Sequence, residues 1–358
     1  MRLDPSVRFR ELLDVAIPIV QAPMAGVAFA DMAAAVCEAG GLGSLACAML
    51  TVSQMREEVA SIRGQTSRPL NLNFFCHPPP RLDAARAVAW RKRLEPFYRE
   101  FGVDAAQVEA PANRTPFDAA ACEVVEEFRP EVVSFHFGLP ERGLVDRVRS
   151  AGARIFSSAT TVSEARWLEE HGCDAIIAQG CEAGGHRAMF LSTDVSTQLG
   201  TLALVPQVVD AVKVPVIAAG GIADARGILA AFALGAAAVQ LGTAYLFCPE
   251  ARISPVHREL LRHSRDHETA LTNVFTGRPA RSLMNRLMRE LGPIAPDIPD
   301  FPLAGEEVMP LRRAALARGS ADFVPLWSGQ AASLGKELPA GELTKELAEG
   351  IRRLLTDE

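Results

Sequence analysis

Lysine, tyrosine and long apolar runs are scarce in this chain of 358 residues, and there is no excess of positive charge. Lysine occurs only at positions 92, 213, 336 and 345, so nearly all of the 37 basic side chains are arginine. With 43 acidic side chains the formal net charge is −6, which gives no electrostatic footprint for nucleic acid or for an anionic membrane surface. We therefore expect a small-molecule partner and neither a nucleic-acid nor a membrane partner.

Paired cysteine motifs are also missing. The seven cysteines lie singly in apolar stretches, which is typical of reduced, buried thiols rather than of a disulfide framework or a zinc site. The longest apolar run, about residues 228–239, is too short to span a bilayer, and the first residues lack the apolar core of a signal peptide. These features predict a cytoplasmic protein with no metal site.

Short, continuous apolar runs rich in β-branched residues alternate with alanine-rich segments of helical pattern. Continuous rather than alternating hydrophobicity is typical of strands buried on both faces in a parallel sheet. The predicted strands are 15–22, 42–46, 69–75, 131–137, 153–159, 174–179, 214–220 and 237–242. Eight β/α units predict an α/β fold, a (β/α)8 TIM barrel, with a doubly wound sheet as the structural alternative.

Helices are predicted in the intervals between the strands, near 30–39, 51–63, 117–129, 140–151, 162–171, 198–212 and 223–235. Two intervals are long: one holds a charged, aromatic excursion over about 77–116, and the other a glycine-rich loop over 180–193. After the eighth strand the pattern changes to polar helices and a proline-rich linker. We predict a barrel over 1–248, a smaller helical substrate-side or lid region over 249–310, and C-terminal helices over 311–358 that complete the barrel.

Glycine-rich turns follow the last three predicted strands, and chemistry in such a barrel is expected at the carboxyl ends of the strands. Gly184-Gly185 follows the sixth strand, Gly220-Gly221 the seventh and Gln240-Leu241-Gly242-Thr243 the eighth. Backbone N–H groups in such turns bind phosphate because no side chain blocks the approach of the anion. The alternative is that these glycines only form tight turns.

Amide side chains, rather than lysine or carboxylates, occupy the other strand ends, at Asn73, Gln179 and Gln240. Lys213 is the only lysine between residues 93 and 335 and precedes a strand, which excludes a Schiff-base barrel enzyme. The shortage of strand-end carboxylates likewise excludes an enolase-type metal site. Amides suit a neutral heteroaromatic ring that both donates and accepts hydrogen bonds. A phosphate site beside such a ring indicates flavin mononucleotide (FMN).

Two histidines lie at the same predicted mouth of the barrel. His136 ends a buried strand between Phe135 and Phe137, where an imidazole suits proton abstraction near neutral pH. A hydrogen-bonded structural histidine is the alternative there. His186 follows Gly185 in the glycine-rich loop, where a role toward substrate and a structural role both stay open. We predict that His136 and His186 are the catalytic residues.

Five motifs in chain order resemble the nitronate monooxygenase family, also known as 2-nitropropane dioxygenase. They are Gln-Ala-Pro-Met-Ala-Gly (21–26), Ser-Phe-His-Phe-Gly (134–138), Ala-Gln-Gly-Cys-Glu-Ala-Gly-Gly-His-Arg (178–187), Ala-Ala-Gly-Gly-Ile-Ala-Asp (218–224) and Gln-Leu-Gly-Thr (240–243). The resemblance runs over about residues 15–290. It implies a barrel in which FMN contacts Gln21, Ala22, Pro23, Met24, Asn73, Gln179, Gly184, Gly221, Gln240, Leu241, Gly242 and Thr243.

The resemblance also implies a reaction. FMN-dependent oxidation of an alkyl nitronate, or of a nitroalkane, by O2 gives a carbonyl compound and nitrite through a flavin semiquinone. His136 is implied as the base, and His186 as a residue of the substrate pocket. Family members often have tyrosines in that pocket, and this chain has only two tyrosines in all. The rival predictions are an FMN-dependent enoyl-(acyl carrier protein) reductase and an NAD(P)H:quinone reductase of the same superfamily.

Overall fold

A closed barrel of parallel strands is the centre of the molecule. The structure, a computed structural model, describes residues 6–104 and 115–356. Within them the strands are β1 (Ile19–Gln21), β2 (Gly43–Ala46), β3 (Leu70–Phe75), β4 (Val132–His136), β5 (Arg154–Ala159), β6 (Ala175–Gln179), β7 (Gly185–His186), β8 (Val216–Ala219), β9 (Ala238–Leu241), β10 (Thr269–Thr272) and β11 (Ala280–Leu283). One sheet has the order β1-β9-β8-β6-β5-β4-β3-β2, and the parallel Val20–Leu42 bridge closes it. The barrel prediction is confirmed, and the doubly wound alternative is excluded.

Helices surround the barrel in the alternation that the sequence predicts. They are α1 (Val7–Leu12), α2 (Ala30–Glu38), α3 (Val52–Gln65), α4 (Ala84–Phe101), α5 (Ala119–Phe128), α6 (Arg142–Ser150), α7 (Val162–Glu170), α8 (Thr201–Ala211), α9 (Ala225–Ala233), α10 (Thr243–Leu246), α11 (Pro255–Arg262), α12 (Arg286–Leu291), α13 (Leu303–Ala317) and α14 (Ala340–Thr356). The last of these, α14, packs between α2 and α9. The C-terminal segment thus completes the ring of helices beside the first strand.

Polar side chains fix the starts of several barrel helices. At α3, the Thr51 hydroxyl accepts a hydrogen bond from the Gln54 backbone N–H, and the Gln54 side chain accepts one from the Thr51 N–H. Asp118 accepts a hydrogen bond from Ala121 N–H at the start of α5, and Asp224 caps α9. Each cap satisfies a backbone donor that has no partner within the helix, so the loop-to-helix transitions are set by local sequence.

The amino-terminal mouth of the barrel is filled by apolar side chains. Phe9 on α1 and Phe156 on β5 have ring centroids 6.2 Å apart, and both pack with Leu42 and Val132 in a fully buried cluster. Because this end is filled, a ligand cavity can form only at the carboxyl ends of the strands.

A second core lies above that carboxyl-terminal mouth. We call α4, β10, β11, α12 and α13 the lid. Its core is rich in aromatic side chains: Trp90, Phe97, Tyr98, Phe101, Phe275 and Phe323. In a three-stranded antiparallel sheet β11 pairs with β10 on one side and with β7 on the other, so the lid is joined to the loop that follows β6. The sequence predicts helices over 249–310, and the structure adds these two strands among them.

One long predicted interval, about residues 77–116, supplies part of the lid. The excursion predicted over 77–116 contributes α4 to the lid, and its residues 105–114 lie outside the described residues. The boundaries at 248 and 310 stay predictions. Among residues 6–104 and 115–356, no helix combines the length and the hydrophobicity that crossing a membrane requires.

Candidate active site

A cavity of about 340 Å³ lies between the carboxyl ends of the barrel strands and the lid. The strand ends and the loops after them supply one wall, which we call the barrel wall. Residues 275–276, helix α13 and residues 324–331 supply the opposite wall, which we call the lid wall. The cavity therefore lies where a (β/α)8 barrel carries its chemistry.

Glycines give the barrel wall its shape below the loop that follows β6. Gly220 has a φ of 108°, and a Cβ placed there would lie 3.0 Å from the Ala183 nitrogen and from the Gly180 oxygen. A Cβ on Gly184 would lie 2.6 Å from the Gly329 nitrogen. Only glycine fits both places, so backbone N–H groups border the cavity without side chains between them and a ligand.

Glu182 holds this glycine-rich loop in place. Both of its carboxylate oxygens lie 2.9 Å from the Thr201 backbone nitrogen, and the Thr201 hydroxyl donates to one of them, also at 2.9 Å. The carboxylate thus caps α8 at the positive end of the helix dipole. Its side chain also covers Gly221 from behind. The Glu182 oxygens are thus used to support the loop.

The three predicted amides have different surroundings. The Asn73 amide nitrogen donates to the Ser134 hydroxyl at 2.9 Å. Gln179 donates to the His186 carbonyl at 3.1 Å and accepts from the Ala188 N–H at 2.9 Å. Gln240 is the exception, because its buried Oε1 has no hydrogen-bond partner among the described residues and the side chain borders the cavity. A buried acceptor of this kind costs free energy unless a ligand donates to it.

His136 lies at the end of β4 with its ring on the cavity. Its Nε2 is 3.2 Å from the His186 carbonyl oxygen, and Phe75 and Phe137 pack beside the ring. The pKa of His136 is lowered from 6.5 to about 3, chiefly by burial, with a smaller contribution from the guanidinium groups of Arg278 and Arg187; the hydrogen bond to the His186 carbonyl opposes this shift. The imidazole is therefore neutral at physiological pH.

The backbone turns sharply after His136. Phe137 has a φ of 72°, a left-handed conformation that bulky residues rarely adopt and that concentrates at functional sites. The Arg278 guanidinium lies 3.9 Å from the centroid of the Phe137 ring, which holds the ring in this orientation. The turn leaves the His136 ring at the strand end, facing the cavity rather than the barrel core.

His186 belongs to the lid sheet. It lies on β7 opposite Ala280 of β11, and its Nε2 is 2.9 Å from the Thr276 hydroxyl. Its ring packs 5.4 Å, between centroids, from both Phe301 and Trp327. The carbonyl oxygen of His186 accepts a hydrogen bond from His136. The backbone of His186 thus contacts the barrel wall, and its ring contacts the lid wall.

Two buried arginines, Arg187 and Arg281, and the half-buried Arg278 hold the loop after β6 through backbone carbonyls. Arg187 donates to the Gln179 and Gly180 carbonyl oxygens at 2.6 Å, Arg281 to Cys181 at 2.8 Å and Arg278 to Met189 at 2.6 Å. Burial lowers the pKa of Arg187 and of Arg278 to about 10, which still leaves both charged at neutral pH. These hydrogen bonds fix the position of the loop beside the cavity.

All but two of the predicted site residues border this cavity. The residues that border it are Ala22, Pro23, Met24, Asn73, His136, Gln179, Gly184, Gly185, His186, Gly220, Gly221, Gln240, Gly242 and Thr243. The exceptions are Gln21, whose side chain bonds to the backbone of Ser44 and Ala22, and Leu241, whose side chain packs in the barrel core. Both brace the strand ends from behind.

Several cavity residues were not among the predicted site residues. Phe75 could have been found, because it lies two residues after Asn73 on the same strand face. Thr276, Trp327 and Arg312 reach the cavity only through the packing of the lid, and His257 comes from α11. Within the described parts of the chain, no group of three or more His, Cys, Asp or Glu side chains is arranged to hold a metal ion.

Comparison with known proteins agrees with this architecture. A profile of the family described as nitronate monooxygenase matches residues 7–350. A nitronate monooxygenase of Pseudomonas aeruginosa is 44% identical over 348 residues, which are 96% of this chain and 99% of that protein. The solved structure of a nitroalkane oxidase from Streptomyces ansochromogenes has a TM-score of 0.88 and 40% identity, covering 98% of this chain and 99% of that one. FabK from Thermotoga maritima has a TM-score of 0.74 and 27% identity, covering 98% and 97%.

The fold, the cavity and these similarities define an oxidoreductase built on a (β/α)8 barrel. The chain belongs to the nitronate monooxygenase family. Both the resemblance and the enzyme class predicted from the sequence are confirmed.

Proposed function

We propose that this enzyme binds FMN in the cavity and oxidises alkyl nitronates with O2 to a carbonyl compound and nitrite. The observation that carries the proposal is that the His136 ring borders the same cavity as the backbone N–H groups of the glycine turns at Gly184, Gly220 and Gly242, which form an anion cradle. The cradle suits a phosphorylated cofactor, and the imidazole suits removal of a proton from carbon. The names of the relatives supply the substrate class.

The residues present fit FMN. Backbone N–H groups of the Gly184-Gly185, Gly220-Gly221 and Gly242-Thr243 turns would hold the phosphate. Strand-end residues Ala22 to Met24, Asn73, Gln179 and Gln240 would border the ring, and the partnerless Gln240 Oε1 offers an acceptor to a ring N–H. When bound, the flavin supplies the electron-transfer chemistry between substrate and oxygen.

His136 would act as a base through Nδ1. A carbonyl oxygen only accepts hydrogen bonds, so the His136 Nε2 beside the His186 carbonyl carries the ring hydrogen. Nδ1 then holds the lone pair, and the structure describes no protein partner for it. A neutral nitroalkane must lose a carbon proton to Nδ1 before oxidation, whereas a preformed nitronate has lost it already. His136 therefore matters most for neutral nitroalkanes.

His186 and the aromatic lid would shape the substrate end of the cavity. Thr276 fixes the His186 ring, and Phe301 and Trp327 pack on it. These apolar rings exclude water from the space beside His136, which keeps the imidazole neutral. We therefore assign His186 to substrate positioning, and His136 to proton transfer.

Anaerobic mixing tests the reaction. We expect the purified protein to be yellow and a nitronate to change the flavin absorption without any NAD(P)H. The His136→Asn variant should lose activity on neutral nitroalkanes by ~10²–10⁴-fold and keep most of its activity on nitronates. His263→Asn makes the same substitution at an exposed histidine just after α11 and is the matched control. Equal losses on both substrates would remove His136 from proton transfer.

NADPH is the discriminating second reagent. Rapid reduction of the flavin by NADPH, with no response to a nitronate, would support the enoyl-(acyl carrier protein) reductase or the NAD(P)H:quinone reductase instead. The 27% identity to FabK justifies including this arm. The proposal also keeps the predicted cytoplasmic location, which the free state of all seven cysteines supports.

A further inference from the structure

Helix α13 brings an arginine to the cavity. Helix α13 borders the cavity with Gly305, Val308, Met309, Arg312 and Leu316, a spacing that places all five on one helix face. Gly305 packs on the Phe275 backbone, beside the Thr276 that binds His186. Arg312 is seven residues further along, roughly 10 Å at the rise of an α-helix. The backbone of Arg312 therefore lies about two helical turns from Gly305, at the other end of the part of α13 that borders the cavity.

Arg312 is a partly buried cation without a counterion. Three other arginines of the site, Arg187, Arg278 and Arg281, each donate to backbone carbonyls. Arg312 has no hydrogen bond or ion pair to any residue that the structure describes, and burial lowers its pKa. A desolvated guanidinium without partners is unfavourable unless a ligand supplies the acceptor.

His257 adds an unsatisfied polar atom next to this cation. Its side chain is 6% exposed, borders the cavity and has no partner for Nε2 among the described residues. Burial lowers the pKa of His257 to about 4, with Arg258 and Arg312 adding to the effect, and a backbone hydrogen bond to Trp327 opposes it. An anion beside the ring would offset the two guanidinium charges and let Nε2 hold a proton toward it.

Ser254 completes the group. Its hydroxyl oxygen accepts from the His257 backbone N–H at 3.2 Å, so the hydroxyl hydrogen stays available to donate. We call Ser254, His257 and Arg312 the outer subsite. All three border one cavity. Arg312 and the Ser254 hydroxyl can each present a hydrogen to an acceptor oxygen, and His257 Nε2 can do so once a bound anion has favoured protonation of the ring.

We propose that the outer subsite binds a small oxyanion, and that it selects the ionised nitronate over the neutral nitroalkane as the form that enters the cavity. The second half of this inference rests on the proposed function, because that function supplies the nitronate. A nitronate carries its charge on two oxygens, which matches the fork of a guanidinium. A neutral nitroalkane of the same shape gains little from Arg312. The chain as a whole is acidic, so the selectivity is local to these residues.

Binding of nitrate to the FMN-loaded enzyme tests the subsite without turnover. Nitrate is a planar oxyanion that cannot be oxidised, and calorimetry at low ionic strength measures its affinity. We expect saturable binding, weakened at least about tenfold in Arg312→Gln and partly restored in Arg312→Lys, because charge-assisted hydrogen bonds are lost and then regained. Arg313→Gln makes the same change of charge at the adjacent, exposed position of α13 and should leave nitrate binding unchanged.

Three results would overturn the subsite. They are no saturable nitrate binding by the wild type, equal nitrate affinity in the wild type and Arg312→Gln, or an equal loss in Arg313→Gln. Propionate forms a second arm, which separates a carboxylate from a nitro-type oxyanion. Binding of propionate that is much tighter than that of nitrate, and that depends on Arg312, would overturn the assignment of the subsite to the nitronate group.

Kinetics separate this inference from the proposed function. In Arg312→Gln we expect kcat/KM for a nitronate to fall about tenfold and to lose its dependence on salt, while kcat/KM for a neutral nitroalkane stays within about twofold. An equal fall for both substrates would overturn the selectivity. Nitrate binding that needs Arg312 in an enzyme that does not oxidise nitronates would overturn the proposed function and leave the anion subsite standing.

Discussion

The two walls of the cavity are built in different ways. The barrel wall consists of strand ends and tight glycine turns, and its polar groups are mostly backbone N–H groups and amides. The lid wall consists of side chains on α13 and on the segments near Phe275 and Trp327, held by a separate aromatic core. The barrel wall is thus fixed by the sheet, whereas the lid wall depends on packing between distant segments.

This difference indicates that the two walls have different roles, one in cofactor binding and the other in substrate selection. A wall made of backbone suits a cofactor that is the same in every turnover. A wall made of side chains on a separate core can change its shape and charge without disturbing the sheet, which suits substrate selection. The carbonyl and the ring of His186 connect the two walls, since they face His136 and Thr276 respectively.

The largest expected effect comes from blocking the barrel wall. Gly220→Val places a β-branched side chain at a φ of 108° and drives its Cβ to within 3.0 Å of two backbone atoms. We expect the variant to be purified without flavin, as measured by the ratio of absorbance at 450 nm (about the flavin maximum) to the protein absorbance. Gly143→Val, in an open position of α6, is the control. Normal flavin content in Gly220→Val would contradict the role of this glycine turn in binding the cofactor.

Removing an aromatic side chain from the lid core should affect the lid wall and leave the barrel wall intact. Phe323 is fully buried against Phe97 and Phe101, with ring centroids 5.1 and 5.0 Å apart. Phe323→Ala should cost ~3–5 kcal/mol of local stability. We expect faster hydrogen exchange in α4 and α13 and a higher KM, with flavin retained.

Phe156→Ala is the matched change in the barrel, because Phe156 is equally buried at the amino-terminal mouth. It should speed exchange in the barrel strands and lower flavin content. Identical exchange patterns and identical flavin losses in the two variants would contradict the separation of lid and barrel.

The pH dependence of stability compares one histidine from the barrel wall with one from the outer subsite. The pKa values of His136 and His257 are lowered to about 3 and about 4. Below about pH 6.5 the unfolded chain binds protons that the folded chain does not, so stability falls as the pH drops from about 6.5 toward 4. Each histidine contributes a slope of up to ~1.4 kcal/mol per pH unit.

Denaturant unfolding of the wild type, His136→Asn and His257→Asn at pH 7.5 and 5.5 measures these slopes. Each variant should show a smaller loss of stability between the two pH values than the wild type. His263→Asn, at an exposed position, should show the wild-type loss. An unchanged slope in both buried variants would contradict the lowered pKa values.

The smallest expected effect comes from loosening the contact between the walls. Thr276→Val removes the hydroxyl that lies 2.9 Å from His186 Nε2 and keeps the shape of the side chain. The loss of one hydrogen bond of ~0.5–1.5 kcal/mol should raise KM about two- to tenfold at nearly constant flavin content. Thr356→Val, at an exposed position of α14, controls for the substitution type. A larger effect on flavin content than on KM would place Thr276 with the cofactor instead.

The barrel wall could be predicted from the sequence because its determinants are local. A continuous apolar run predicts a buried strand, and the residue after the run must lie at the strand end; this logic places Asn73, His136 and Gln179 correctly on the cavity. It does not tell that the side chains of Gln21 and Leu241 lie away from the cavity, and their contact with a cofactor stays a prediction. The alternation of side chains in a strand of only three or four residues gives too little pattern to decide which face borders the cavity.

The lid wall could not be predicted in the same way. The strands β10 and β11 have four residues each, and the third strand of their sheet, β7, has only two, so these sequences carry almost no periodic signal. Arg312 in isolation is one of many arginines in the chain. Its significance comes from burial beside His257, and that proximity exists only after α11 and α13 have packed.

The (β/α)8 barrel, the family motifs and most residues of the barrel wall can be recognised from local sequence, because hydrophobic runs, caps and glycine turns act over a few residues. The lowered pKa of His136 cannot, because it depends on burial and on arginines far along the chain. The same is true of the difference between the arginines that bind backbone carbonyls and Arg312, which borders the cavity without a partner among the described residues. Burial and electrostatic interactions act through space, so they become visible only once the chain is folded.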